Sequence, residues 1–414
     1  MREMKDSGIE WVGKIPHCWN TSKLKYLGQY INGYAFKPEE WGTKGVPIIR
    51  IQDLTGSNDN PNYFEGQIDK KYGVENGDIL ISWAATLDAF IWNKGNGWLN
   101  QHIFKAVPNR KIIDYDYFFW MIKESMKNMN NDNKHGIFMQ HVTLSVFNNF
   151  TIPMPPLAEQ HRIAAFLDRK CAEIDAVLEK TRASIEEYKK LKQAVITQAV
   201  TKGIRGDRPM KNSGIEWIGT CPLNWTVCRI KNVIFPQEKE VLPDDEIITC
   251  FRDGEVTLRK NRREDGFTVS FTEHGYHGVD KGDLVIHGMD AFAGAIGCSD
   301  SRGKTTPVVH TCKTAGNNRF FMYFLRSMAY GNILMDLSNG VRIRSSDFRN
   351  FAKLGVFGAV MPPLEEQNEI VDYIDGIVIQ MDRLIQKKEN LLTEIENYKK
   401  SLIYEYVTGK KEVV

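Results

Sequence analysis

Residues 7–13 read SGIEWVG and residues 213–219 read SGIEWIG, so any fold of this chain must place nearly the same peptide twice. Extended to residues 5–19 against 211–225, an offset of 206, the match keeps nine of 15 positions identical. A second echo joins GVENGDILI at 73–81 to GVDKGDLVI at 278–286, where a Gly-Asp turn feeds a short apolar run that reads as a buried strand. A third joins Pro155, Pro156, Leu157, Glu159 and Gln160 to Pro362, Pro363, Leu364, Glu366 and Gln367. The echoes come in the same order in both halves. The repeating unit is therefore about 207 residues, too long for a solenoid repeat and suited to a pair of domains.

After each Pro-Pro the composition changes. Gly and Pro all but vanish and Glu, Lys, Ala, Leu and Ile dominate for some 45 residues, which predicts a long helix. Leu167, Cys171, Ile174, Leu178, Thr181, Ile185, Tyr188, Lys192 and Val195 fall at alternating steps of four and three, the seam of a coiled coil. The repeat offset carries them to Ile374, Val378, Met381, Ile385, Lys388, Leu392, Ile395, Lys399 and Leu402, so apolar positions map onto apolar ones and polar interruptions onto polar ones. A seam needs a partner, and the economical partner is the other copy, antiparallel because a whole domain separates the two helices. The alternative is that each helix packs on its own domain. At 1.5 Å per residue each helix would span roughly 65 Å.

The expected fold class is α+β: two pseudo-symmetric mixed α/β domains separated by two long helices in an antiparallel coiled coil. The expected boundaries are 1–153 for the first domain, 154–203 for the central helix, 206–360 for the second domain and 361–410 for the C-terminal helix. One helix is predicted near 115–126 and a counterpart near 319–328.

Composition then limits function. With 42% hydrophobic and 26% charged residues the chain falls in the globular class, and no apolar run reaches 18 residues. Seven cysteines, none in a CxxC, predict reduced thiols, and the first residues lack the apolar core of a signal peptide, so a cytoplasmic protein without membrane attachment is expected. A net charge of +2 falls short of the strongly basic signature of a nucleic-acid binder.

Catalytic motifs fail on count. GCSDSRGKTT at 297–306 resembles a P-loop, but five residues separate its outer glycines where a Walker A needs four. NPNY at 60–63 lacks the second proline of the adenine-holding motif of amino-methyltransferases. His274, His277, Cys298 and Cys312 lack the short pairs of a zinc site, and no G-x-S-x-G elbow is present. No catalytic residue and no metal ligand is assigned. The repeated SGIEW motif itself barely differs between copies, so Trp11 and Trp217, with Ile9 and Ile215, are read as anchors to each domain's core; a DNA-contacting loop is the alternative.

Two domains that diverge outside their echoes, each opened by S-G-I-E-W-[VI]-G and closed by P-P-L-x-E-Q before a helix ending in VTKG (200–203) or VTGK (407–410), resemble the specificity subunit of type I restriction-modification enzymes. The resemblance covers essentially the whole chain. It implies two target-recognition domains that each read half of a split double-stranded DNA site, and helices that set the spacer and dock two methyltransferase subunits. Motor-nuclease subunits would join for cleavage. It also implies that this chain is not catalytic and holds no cofactor, with S-adenosylmethionine, ATP and Mg used by the partner subunits.

Base edges call for Arg, Lys, Asn, Gln or His on loops that can enter a groove. In the second half, 339–353 offers Arg342, Arg344, Arg349 and Lys353 against one acid, and the first-half counterpart offers Lys134, His135, Gln140 and His141. A third segment, 252–265, offers Arg259, Lys260, Arg262 and Arg263 among four acids, where a solvated hairpin competes with a DNA clamp. Two rival functions remain beside DNA recognition: a coiled-coil scaffold that binds proteins, and a P-loop ATPase.

Overall fold

The run Ile79–Ser82 forms a strand with all four residues buried, as three consecutive apolar residues, Ile79 to Ile81, require when both faces of a strand are covered. It sits in a computed structural model that describes residues 2–58, 60–131, 142–262, 274–337 and 350–413. The chain divides into two compact units. One is Met1–Thr181 with Leu391–Val414, and the other is Arg182–Asn390, so both long helices are shared between units.

In the first unit Ile79–Ser82 pairs antiparallel with Ile103–Pro108 and Asp88–Ile91, and Gly28–Asn32 completes the four-stranded sheet. The helix Tyr115–Asn131 turns Phe118, Met121, Ile122 and Met126 inward at helical spacing, into a core shared with Trp19, Ile79, Ile81 and Phe104. A smaller sheet of Tyr63–Phe64, Val46–Ile49, Gly97–Leu99 and Gly73–Val74 contains one parallel pair, Val46–Ile49 with Gly97–Leu99. Strand Asn20–Lys23 pairs with Thr151–Met154, which leads directly into the central helix, Leu157–Lys202.

The second unit repeats the plan. Ile234–Pro236, Val309–Thr314, Leu284–His287 and Ile296–Cys298 form the matching sheet in the same order. The helix Asn318–Tyr330 supplies Phe320, Phe321, Phe324 and Met328 to the core. Thr226–Arg229 pairs with Gly358–Met361 ahead of the C-terminal helix, Leu364–Val407. The Gly-Asp echo is a turn made the same way twice. Asp78 accepts from the backbone of Glu75 at 2.9 Å, and Asp283 from that of Asp280 at 2.8 Å.

Within each unit the long helices pair antiparallel. In the first, the Phe166 and Tyr406 rings lie 4.4 Å apart and Lys399 reaches Asp175 at 2.6 Å. In the second, the Lys388 ammonium lies 5.6 Å from the Tyr188 ring centre and Lys192 pairs with Asp382. As the residue number rises on one helix, the partner's falls. Leu167, Leu178, Ile185, Ile374, Ile385 and Leu402 are buried, and Ile174, Tyr188, Val195, Val378, Met381, Leu392 and Ile395 half-buried. The polar seam positions have partners too. Thr181 donates to the Val177 carbonyl at 2.8 Å, and Lys192 and Lys399 form the two equivalent ion pairs.

Each globular domain is closed by helix ends from both long helices. Glu159 accepts from the Trp19 indole at 3.0 Å and from Arg2 at 2.6 Å, and Glu366 accepts from the Trp225 indole at 3.0 Å and from Arg208. Gln160 takes the Asp114 N–H and gives its own to the Pro155 carbonyl; Gln367 does the same with Asn317 and Pro362. At the other end, Gly203 and Gly409 adopt φ of 78° and 75°, the left-handed residue that stops a helix. The lysine beside each then reaches the repeated motif: Lys202 donates to the Ile218 carbonyl at 2.6 Å, and Lys410 to the Val12 carbonyl at 2.7 Å. The motif's tryptophans pack on core aromatics, Trp11 on Phe150 and Trp217 on Phe324. The first and third echoes, with the two helix-end lysines, are thus the parts of one clasp, made twice.

Candidate nucleic-acid interface

The surface that differs between the two domains lies beyond a strand they share. Val46–Ile49 and Ile248–Cys250 occupy equivalent places, each meeting a neighbour in parallel, Ile48 opposite Trp98 and Ile247 opposite Lys304. In the first domain Arg50 follows, resting 4.9 Å from the Trp41 ring at the start of a short helix, Ile51–Thr55. In the second, Phe251 and Arg252 follow, and the chain turns back through Val256–Leu258 as a hairpin.

That hairpin forms one wall of a cleft of about 730 Å³ lined by Thr249, Phe251, Arg252, Asp253, Arg259, Arg262, His287, Asp290, Thr305 and Thr306. Its arginines are held in place. Arg262 bonds Asp253 at 2.6 Å and Glu255 at 3.1 Å while lying 4.3 Å from the Phe251 ring centre. Arg252 bonds Asp290 at 2.9 Å, and Arg259 donates to the Thr249 hydroxyl at 3.3 Å. The Arg262 hydrogen bond holds the Asp253 carboxyl below its ordinary range. Burial likewise lowers the His287 pKa, which favours the neutral ring. Its Nδ1 accepts the backbone N–H groups of Met289 and Asp290 at 3.3 and 3.1 Å, which leaves the proton on Nε2.

Of the sequence-derived DNA candidates, Arg259 and Arg262 line this cleft. Lys260 lies on the same turn but is paired with Glu246 at 2.6 Å, and Lys353 sits half-exposed on the short helix Ala352–Gly355, not among the cleft-lining residues. Lys134, His135, Gln140, His141, Arg263, Arg342, Arg344 and Arg349 lie outside the described residues. Sequence reasoning passed over Arg252, His287 and Thr249. Arg252 stood in a segment whose acids argued against it, and nothing in the sequence shows that His287 folds against that segment.

The P-loop look-alike is no phosphate cradle. Lys304 lies mid-strand in Gly303–Thr305, paired with His277–Val279, and the next element is the strand Val309–Thr314 rather than a helix. A second surface lies on the long helices. Val177, Leu391 and Tyr398 are exposed in the first unit, and Leu191, Ile379 and Leu384 in the second. The repeat offset relates Val177 to Leu384 and Leu191 to Tyr398. Among the described residues, no helix is long and apolar enough to cross a membrane.

The family description "Type I restriction modification DNA specificity domain" matches residues 16–187. The EcoBI specificity subunit of Escherichia coli is 24% identical over 99% of this chain and 90% of its own length. The MjaVIII specificity subunit of Methanocaldococcus jannaschii is 26% identical over 97% of this chain and 94% of its own. A chain solved in a study of complex assembly and conformational transition of the type I restriction-modification system superposes with a TM-score of 0.69. It covers 96% of this chain and 99% of that one, and at 15% identity the likeness is one of fold.

Proposed function

We propose, from this chain's membership in the family of type I restriction-modification specificity subunits, that it reads an asymmetric, two-part duplex target with one half-site per globular domain. The observation that carries the reading is a clasp repeated almost bond for bond beside surfaces that do not repeat. Glu159 and Glu366, or Lys202 and Lys410, do the same work in both copies. Arg50 before a short helix and Arg252 in a hairpin present different chemistry from one place in the fold. A shared skeleton with unlike faces suits unlike half-sites.

The paired helices hold the two domains at a set separation and dock two methyltransferase subunits. Support comes from the outward apolar residues: Val177 and Leu384, and Leu191 and Tyr398, are exposed apolar side chains at equivalent positions of the two copies, which suits two copies of one partner. Motor-nuclease subunits join that assembly for cleavage. Methyl transfer and ATP hydrolysis, with their S-adenosylmethionine, ATP and Mg, belong to the partners, and this chain takes no catalytic part. Because the net charge is only +2, the chain alone binds duplex weakly, and partner subunits supply further phosphate contacts. Binding across a salt series with and without the methyltransferase checks this; equal affinities and equal slopes contradict it.

Mapping methylated adenines in host DNA with and without the chain tests the reading. A two-part motif that vanishes on deletion is expected. A pattern indifferent to the deletion leaves a protein-binding scaffold, which the family relationship does not favour.

A further inference from the structure

Arg252, His287 and Arg262 bring hydrogen-bond donors to one cleft in which their positive charge is largely cancelled. Asp290 takes one N–H of Arg252, and Asp253 with Glu255 engages Arg262. Cancelled charge gains little from releasing counterions, so Arg252 and Arg262 are poor phosphate clamps. What the cleft keeps is directed donation. A carboxylate that takes one arm of a guanidinium fixes its plane, and among the described residues the remaining Arg252 donors have no protein acceptor. His287 is fixed as an Nε2–H donor by the two backbone groups on Nδ1. Thr249, Thr305 and Thr306 line the same space, and the Arg252 side chain is 67% exposed at its mouth.

An edge presenting two adjacent acceptors complements such a wall. In duplex DNA that edge is the major-groove side of guanine, whose O6 and N7 fit the two-pronged guanidinium. We infer that this cleft is the specificity-determining pocket of the second domain and that Arg252 reads a guanine in its half-site, with Asp290 positioning the guanidinium. The inference rests on the proposed function and adds to it a pocket, a reader and a base. Arg50, at the end of the equivalent strand in the first domain and braced by Trp41 rather than by an acid, gives that domain a differently held guanidinium. The two half-sites need not share the base.

The test uses the full chain assembled with its methyltransferase subunits, and reads the methylated motif together with duplex binding over a salt series. Arg252→Ala is expected to make one guanine position of one half-site degenerate, with discrimination there falling roughly ten- to a hundredfold. The other half-site and the salt slope on random duplex should stay unchanged. Arg252→Lys keeps the charge and loses the fork, so it should relax the same position, and it answers the question if the alanine variant does not assemble. Asp290→Asn should weaken discrimination at that same base pair. An unaltered motif in the lysine variant overturns the assignment, and so does a shallower salt slope with base preference intact, which marks a phosphate contact. Should the wild-type assembly yield no two-part motif, the proposed function itself fails, and the two failures stay distinct.

Discussion

Glu159 is buried with its carboxylate between an indole and a guanidinium, and that position is where the first domain is closed. Burial alone would raise its pKa, but the bonds from Arg2 and Trp19 and the neighbouring positive charge hold it below the ordinary 4.5. A carboxyl whose folded pKa is lowered binds fewer protons folded than unfolded. Its stabilising contribution is therefore complete above about 4.5 and is lost as pH falls through the lowered value. Thermal unfolding should show wild type more stable than Glu159→Gln at pH 7, with the gap closing as pH drops below 4.5; a gap that widens in acid contradicts the clasp. Lys202→Met and Lys410→Met each remove a charged donor from backbone carbonyls and should cost about 1–2 kcal/mol in denaturant titrations. These residues show how far the sequence could be read. Glu159 and Gln160 stood out as repeated letters and Lys202 stood in the helix-end motif, but Arg2, Trp19 and Asp114 lie far from the first two in the chain and Ile218 lies beyond a strand from Lys202, and spacing carries no information on which carbonyl a lysine will meet.

At the scale of elements the long helices were the most legible part of the chain, because a seam of alternating threes and fours leaves one apolar face that has to be covered. The seam residues are the buried or half-buried ones, and the helix pairing runs antiparallel within each unit. Leu178→Ala should cost about 2 kcal/mol of unfolding free energy. Its neighbour Val177→Ala, half-exposed, should change stability by less than about 0.5 kcal/mol but weaken association with the methyltransferase subunit. Equal effects of the two on stability would put the seam on the wrong face. The ion pairs of Lys192 and Lys399 are partly exposed, so each is worth only about 0.2–1 kcal/mol and serves register more than stability. The short strands were harder. The predicted helices near 115 and 319 appear as Tyr115–Asn131 and Asn318–Tyr330, but runs of three or four residues such as Ile248–Cys250 are set by pairing with distant segments, and the cleft they frame could not be seen from local pattern.

For the molecule as a whole, sequence order and spatial order differ. The compact units cut both long helices, so each globular domain is completed by the tail of the helix that started on the other copy's side of the repeat. That return of the chain is not visible in the order of elements along the sequence. Of the seven cysteines only Cys18 is exposed, and burial raises the thiols of Cys171, Cys250 and Cys298 to about 11, 12 and 12. One thiol should therefore react quickly with a soluble alkylating agent at pH 8, and Cys18→Ser should remove that reaction; several fast thiols would mean that these cores are not closed. The most direct measurement lengthens the helices. One heptad inserted at matched positions in the central and C-terminal helices, followed by mapping of the methylated motif, should leave both half-site sequences intact and increase the number of unspecified base pairs between them. Half-sites that change sequence, or a separation that stays the same, would contradict helices that set the distance between two independent readers.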